Sequence, residues 1–261
     1  MPAVTVWVGG GTGAGKTTVI RTLAGRHGLR VFPLDAFWYK HAIALSEPEP
    51  GPDEQWLGRT PAEQAEEFEA FARRRWPLVL TDLAALPASP PVVVEGPQVL
   101  PDLVPAGDLA VFLVATREFQ RSALGRRPLP DTTDSARALA NRIEKDWLYS
   151  QRVAALAVAH GFTVVPIDGA QSVDFTLAAV AEALSPAIGW DVDRTEVRAA
   201  RRWENRVVAD NIRIWLNTRH VPSTAPTTYS FACECGTPGC HAMVDLPLSG
   251  LDTVPVIAPE H

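Results

Sequence analysis

Lysine is almost missing from this sequence. Of its 24 basic residues only Lys16, Lys40 and Lys145 are lysine, and 30 acidic residues bring the net charge to -6. Such a balance offers no basic surface to grip a phosphate backbone, so nucleic acid is excluded as a general partner. Cysteine is equally scarce, with three residues confined to positions 233–240. So few and so crowded, they suit a reducing compartment better than a disulfide framework. No run approaches the roughly 18 apolar residues of a membrane span, and the first residues show no basic region followed by an apolar stretch and a cleavage site. A cytoplasmic protein with neither membrane nor nucleic acid as partner is expected. Internal repeats are also lacking, and the one biased tract is the proline loop at 46–53, Ser-Glu-Pro-Glu-Pro-Gly-Pro-Asp, where each proline removes a donor.

What is present suits a globular chain, 46% apolar and 21% charged over 261 residues, enough for one large or two unequal units. Up to about residue 188, short β-branched runs at 3–8, 30–34, 92–95, 109–115 and 163–167 alternate with helical stretches. That alternation predicts an α/β fold, a five-stranded parallel sheet in a three-layer sandwich. Thr60-Pro61-Ala62-Glu63 is a capping box with proline at the first helical position, predicting a helix to about Arg75. A second long helix is expected over 135–160, stopped by Gly161. Residues 1–188 are read as one unit. Residues 189–261 are read as an appendage: a charged helix over about 191–216, a proline- and threonine-rich connector, then the cysteines.

The strongest motif directly follows the first strand and precedes a helix: Gly10-Gly11-Thr12-Gly13-Ala14-Gly15-Lys16-Thr17, with Thr18 beside it. It matches G-x-x-x-x-G-K-[ST] in the required strand–loop–helix setting. Glycines let the loop take left-handed conformations and bring backbone amides against phosphate oxygens. The helix N-terminus faces the same anion, Lys16 supplies a charge to the β/γ oxygens, and the Thr17 hydroxyl suits magnesium. ATP and Mg2+ are the expected cofactors.

No Asn-Lys-x-Asp guanine-reading segment occurs, and the third strand ends in Val94-Glu95-Gly96 where an AAA-type motor has Asp-Glu. The strand-end Glu-Gly, the Asp35-Ala36-Phe37-Trp38-Tyr39-Lys40 segment after the second strand, and the arginine-rich stretch after the fourth resemble P-loop small-molecule kinases of the uridine kinase-like and nucleoside monophosphate kinase-like group. The resemblance spans about residues 3–188. It implies that Asp35 faces the acceptor hydroxyl, that Glu95 reaches magnesium through water, and that Arg117, Arg121, Arg126 and Arg127 sit on a lid over the phosphates, hinged near Gly125 and Pro128. Each has a plainer alternative: a helix-capping acid for Asp35 and Glu95, a solvated charged face for the arginines. Phe37, Trp38 and Tyr39, with Lys40, Asp53, Trp56 and Arg59, are expected around the acceptor, the alternative being that the aromatics pack in the core. Asn141, Arg142 and Asp146 on the long helix are weaker candidates.

The last motif is Cys233-Glu234-Cys235-Gly236-Thr237-Pro238-Gly239-Cys240-His241. Thiolates and imidazole on a glycine-rich loop suit zinc, with Cys233, Cys235, Cys240 and His241 as candidate ligands and His220 as rival for the fourth position. A redox or partner-contacting role and inert thiols are the alternatives. The function expected is an ATP-dependent phosphotransferase acting on a small-molecule acceptor. A nucleotide-responsive binding protein whose cysteine-bearing tail contacts a protein partner, or an NTP hydrolase, stands as the alternative.

Overall fold

The computed structural model describes residues 4–127, 132–185, 187, 193–218, 227–251 and 255–261. In chain order the elements are β1 (Thr5–Gly10), α1 (Lys16–His27), β2 (Arg30–Pro33), α2 (Trp38–Ala44), α3 (Pro52–Trp56), α4 (Pro61–Ala84), β3 (Val92–Glu95), β4 (Leu109–Ala115) and α5 (Arg117–Gly125). There follow α6 (Ser135–Ala159), β5 (Thr163–Ile167), α7 (Val173–Leu184), α8 (Arg194–Thr218), β6 (Thr228–Ala232) and β7 (Met243–Pro247). β1 to β5 form a parallel sheet in the order β2-β3-β1-β4-β5. The α/β fold expected from the alternating runs, a five-stranded parallel sheet between two helical layers, is the one adopted.

Strand periodicity builds the layers. Val6 and Val8, Val93, and Val111 with Leu113 point to one face, where they bury Val19, Ile20 and Leu23 of α1 and Leu177, Val180 and Leu184 of α7. Trp7, Val92 with Val94, and Phe112 point to the other, against Ala72, Trp76 and Val79 of α4 and Tyr149, Val153 and Ala157 of α6.

The capping box at Thr60 forms, Glu63 N donating to Thr60 Oγ1 at 3.3 Å while the Glu63 carboxylate accepts from Thr60 N at 2.8 Å. α4 then runs on to Ala84, past the expected end at Arg75 and through Pro77. An internal proline costs about 3 kcal/mol, but Phe71, Trp76 and Val79 are all buried on this helix, and burial of that apolar surface outweighs the loss. α6 matches expectation: Asp134 caps it and Gly161 follows at φ 73°.

The predicted boundary at residue 188 and the connector at 219–226 lie outside the described residues. α8 lies along β2, with Trp203 against Phe32 at 5.8 Å and Phe37 at 6.1 Å. The antiparallel β6–β7 hairpin packs Phe231 against Ala209 and Leu216 of α8 and against Leu248 and Val256. Among the described residues no helix is long and apolar enough to cross a membrane.

Candidate functional site

β1 delivers the chain into a loop built for close approach. A Cβ on Gly10 would stand 1.9 Å from the Leu113 carbonyl oxygen, and one on Gly11 1.9 Å from Ser150 Oγ. Gly13 and Gly15 take φ 85° and 78°, the left-handed region that glycine enters without strain. Gly15 caps α1 with no side chain, so the first-turn amides are left for an anion. Ala14 is in the core beneath the loop. Thr12 is tied down: Gln120 Nε2 donates to its carbonyl at 2.9 Å and its hydroxyl reaches Asp146 Oδ1 at 3.5 Å.

Lys16 is buried and folds back on the loop, donating from Nζ to the Gly10 and Gly11 carbonyls at 3.1 and 2.8 Å. Burial lowers its pKa, while Glu95 and Asp35 pull the other way. Thr17 Oγ1 lies 3.4 Å from Glu95 Oε1, and Thr18 is exposed beside it. Glu95, at the end of β3, is pushed up to about 7, first by burial and then by the neighbouring charge of Asp35. Asp35 follows β2 on a helical turn at Leu34–Phe37. Its carboxyl opens to solvent yet is crowded by protein, and that desolvation raises its pKa against the opposing pull of Lys16, Arg75, Arg127 and Lys145. Two carboxylates, a hydroxyl and a loop lysine thus converge at the carboxyl ends of β1, β2 and β3, where open α/β sheets bind ligands.

Two supporting groups were not foreseen from the sequence. Arg75 is fully buried on α4, donating from Nε to His41 Nδ1 at 3.0 Å, from Nη2 to the Leu34 carbonyl at 2.9 Å, and also to Gln98 Oε1. Burial brings its pKa down to about 10, opposed by Asp35 and Asp82. It thereby holds the turn that carries Asp35. Lys145 is the second, buried on α6 with Nζ 2.9 Å from Asp146 Oδ1 and 3.8 Å from the centroid of Phe68. Its rarity as one of three lysines was the available signal. Asn141 donates to the Trp56 carbonyl at 2.8 Å, and Arg142 lies 5.7 Å over the Trp56 ring, close enough to Asp146 to feel its charge.

The arginines expected on the lid divide. Arg127 is close enough to influence both Lys16 and Asp35. Arg117 is turned aside, paired with Glu144 and 5.7 Å over Trp147, and Arg126 donates to Ser122 Oγ at 2.8 Å. Arg121 is exposed and makes no ion pair among the described residues. Gly125 ends α5, and Pro128 lies outside the described residues.

Of the aromatic segment Phe37 is core rather than pocket, stacked on Phe32 at 4.3 Å, while half-buried Trp38 packs on Phe71 at 4.5 Å and half-buried Tyr39 donates from its backbone N to Asn211 Oδ1 at 3.1 Å. Lys40 and Arg59 are occupied by Asp82 and Glu67, at 2.7 and 2.6 Å. Asp53 instead receives Thr133 N and Oγ1 at 2.9 and 2.8 Å, on the wall of an open cleft of about 500 Å³ shared with Gly51, Pro52, Glu54 and Thr132.

Cys233, Cys235 and Cys240 come together as the motif suggests, all as free thiols. The fourth group beside them is His261; His241 is exposed, with Nδ1 3.0 Å from the Gly239 carbonyl oxygen. His220 lies outside the described residues.

No protein-family model matches the chain, and no curated protein matches it in sequence. Among solved structures it is similar to shikimate kinase from Acinetobacter baumannii in complex with shikimate, at 21% identity and a TM-score of 0.42, over 70% of this chain and 94% of that one.

Proposed function

We propose that this protein is an ATP-dependent phosphotransferase that moves the γ-phosphoryl group to a hydroxyl of a small-molecule acceptor. The observation that carries the reading is the convergence of Asp35 and Glu95 on the P-loop lysine and Thr17. The loop at Gly10 to Gly15, seated so closely on β4 and α6 that neither Gly10 nor Gly11 could carry a Cβ, and the uncapped start of α1 suit a polyphosphate. Paired carboxylates beside a threonine hydroxyl suit a hard divalent cation, which Thr17 and Glu95 would hold.

Bound ATP and Mg2+ would supply the transferable phosphoryl group and neutralise charge on its oxygens. The chain's own residues do the rest. Loop amides bind the phosphates, and Lys16 exchanges its two carbonyl partners for phosphate oxygens. Asp35, more basic than an ordinary aspartate, orients the acceptor hydroxyl and takes its proton. Arg127 adds positive charge and Arg75 positions the Asp35 turn. The acceptor itself is expected on the side bounded by Asp35 and the Asn141–Asp146 face.

The test is ADP release from ATP and magnesium, with and without pools of nucleosides, nucleotides, sugars, vitamins and small hydroxylated metabolites. Acceptor-dependent release confined to one pool, lost by at least about 10²-fold in Lys16→Ala without unfolding, is expected. Release indifferent to every pool would make water the acceptor and the protein a hydrolase. ATP binding with no release at all would favour a nucleotide-responsive switch, and transfer surviving in Lys16→Ala would overturn the mechanism.

A further inference from the structure

The thiol cluster lies apart from the phosphate-binding residues and takes no part in the chemistry proposed for them. Its ligand-capable atoms, three Sγ and one imidazole nitrogen, all lie within 4.8 Å of one another. Around a tetrahedral zinc with Zn–S bonds of about 2.3 Å, neighbouring sulfurs stand about 3.8 Å apart. The four groups therefore need only draw slightly inward to share one ion. We propose that Cys233, Cys235, Cys240 and His261 form a structural zinc site that staples the 255–261 segment and the β6–β7 hairpin onto the far end of the P-loop helix.

The surroundings are those of metal-bound thiolates. Thr237 N donates to Cys235 Sγ and Ala258 N to Cys233 Sγ, each at 3.3 Å. Amides aimed at sulfur offset the charge that three thiolates and one Zn2+ leave behind and fix the ligand orientation. Gly236 and Gly239, at φ 67° and 83°, give the tight reversals that bring Cys240 back to Cys233 and Cys235. Cys233 and Cys235 are buried, Cys240 is half-buried and His261 is exposed. Three soft sulfurs with one imidazole select zinc over the oxygen-seeking Mg2+ and Ca2+. Four protein ligands leave no open position for substrate, which assigns the ion a structural role.

The staple also has a seat. Gly239 N donates to the Gly25 carbonyl of α1 at 2.9 Å, and a Cβ on Gly25 would meet the Cys240 carbonyl oxygen at 2.5 Å. On the other flank, Glu234 takes Arg202 at 3.2 Å and Asn205 at 2.9 Å, both from α8. Arg21 of α1 reaches buried Glu204 of α8 at 3.0 Å. The metal loop is thus wedged between the helix that begins with Lys16 and the helix that covers β2.

The test uses the full chain purified under reducing conditions. Zinc measured by elemental analysis, and by release to a chromogenic chelator on titration with a mercurial, is expected at one equivalent per chain. Cobalt substitution should give a tetrahedral d–d envelope with thiolate charge transfer. Both histidines are exposed, so their variants keep the fold. His261→Ala is expected to lower zinc affinity at least tenfold and change the cobalt spectrum, and His241→Ala to change neither. Gly25→Ala should keep the metal but lose hydrogen-exchange protection at the Gly239 amide, as should zinc removal. Folded protein that takes up neither zinc nor cobalt, an intramolecular disulfide within the cluster, or loss of metal in His241→Ala with retention in His261→Ala would each overturn the site. Gly239 protection that survives zinc removal would overturn the staple. None of these readouts depends on phosphoryl transfer.

Discussion

Glu95→Gln is expected to stabilise the nucleotide-free protein at neutral and higher pH while removing its magnesium-dependent chemistry. Glu95 is buried at the end of β3, and burial together with Asp35 raises its pKa from 4.5 to about 7. Because the folded value exceeds the unfolded one, the ionised carboxyl works against the native state. The stability held in the protonated form is fully present below pH 4.5 and is lost as the pH rises through about 7. The separation corresponds to about 3 kcal/mol above pH 7 and to under about 1 kcal/mol at pH 5. Glutamine keeps the shape and cannot ionise, so it should recover most of that difference. For a chain of this size the gain corresponds to roughly 5 °C or more in Tm.

The assay is urea unfolding of wild type and Glu95→Gln in parallel from pH 5 to pH 8.5, with EDTA and no nucleotide. The two curves should nearly coincide at pH 5 and separate progressively toward pH 8. Adding ATP with magnesium should stabilise wild type more than ATP with EDTA does, since the cation relieves the Asp35–Glu95 repulsion. The variant should show a much smaller difference. A stability gap that is the same at pH 5 and pH 8, or a variant less stable than wild type at pH 8, would refute the reasoning.

Two further expectations follow from the same geometry. Arg127→Ala should lower kcat by at least tenfold and Arg117→Ala or Arg126→Ala by less than threefold, because only Arg127 acts on Lys16 and Asp35 whereas Arg117 and Arg126 are engaged by Glu144 and Ser122; equal losses in steady-state kinetics of all three would contradict this division. Arg75→Met should cost about 3 kcal/mol or more in urea unfolding, since it leaves His41 Nδ1, Gln98 Oε1 and the Leu34 carbonyl without their donor, and a loss under about 1 kcal/mol would show that Arg75 does not hold the Asp35 turn.

How much of this was legible in the sequence depends on the range of the interaction that fixes each feature. The sheet was legible because its signal is local: Val92 to Val94 alternate faces by backbone geometry alone, and each strand falls on its apolar run to within two residues at either end. The phosphate loop was legible because its glycines answer to a backbone conformation and an approach distance, both properties of the loop itself. The end of α4 was misjudged because Pro77 is a local breaker, and what overrides it, the burial of Trp76 and Val79 against the sheet, is tertiary. The same reason explains Phe37: it is an apolar group after a strand in either reading, and only Phe32, on which it stacks, decides for the core.

Arg75 and His261 mark where local reasoning ends. Neither belongs to a motif, and each acquires a role from residues far along the chain: Arg75 from Leu34 and Gln98, His261 from three cysteines more than twenty positions earlier. A buried guanidinium keeps its place only if every donor finds an acceptor, and a zinc-binding set needs four ligands within one coordination sphere. Both are conditions on spatial closure. The three thiols and the strand-end acids could be named from spacing and resemblance, but the group that completes each set could be identified only after the chain had folded back on itself. Hence the sharpest tests of the proposed chemistry lie at these completing residues, where a substitution removes the partner and leaves the motif unchanged.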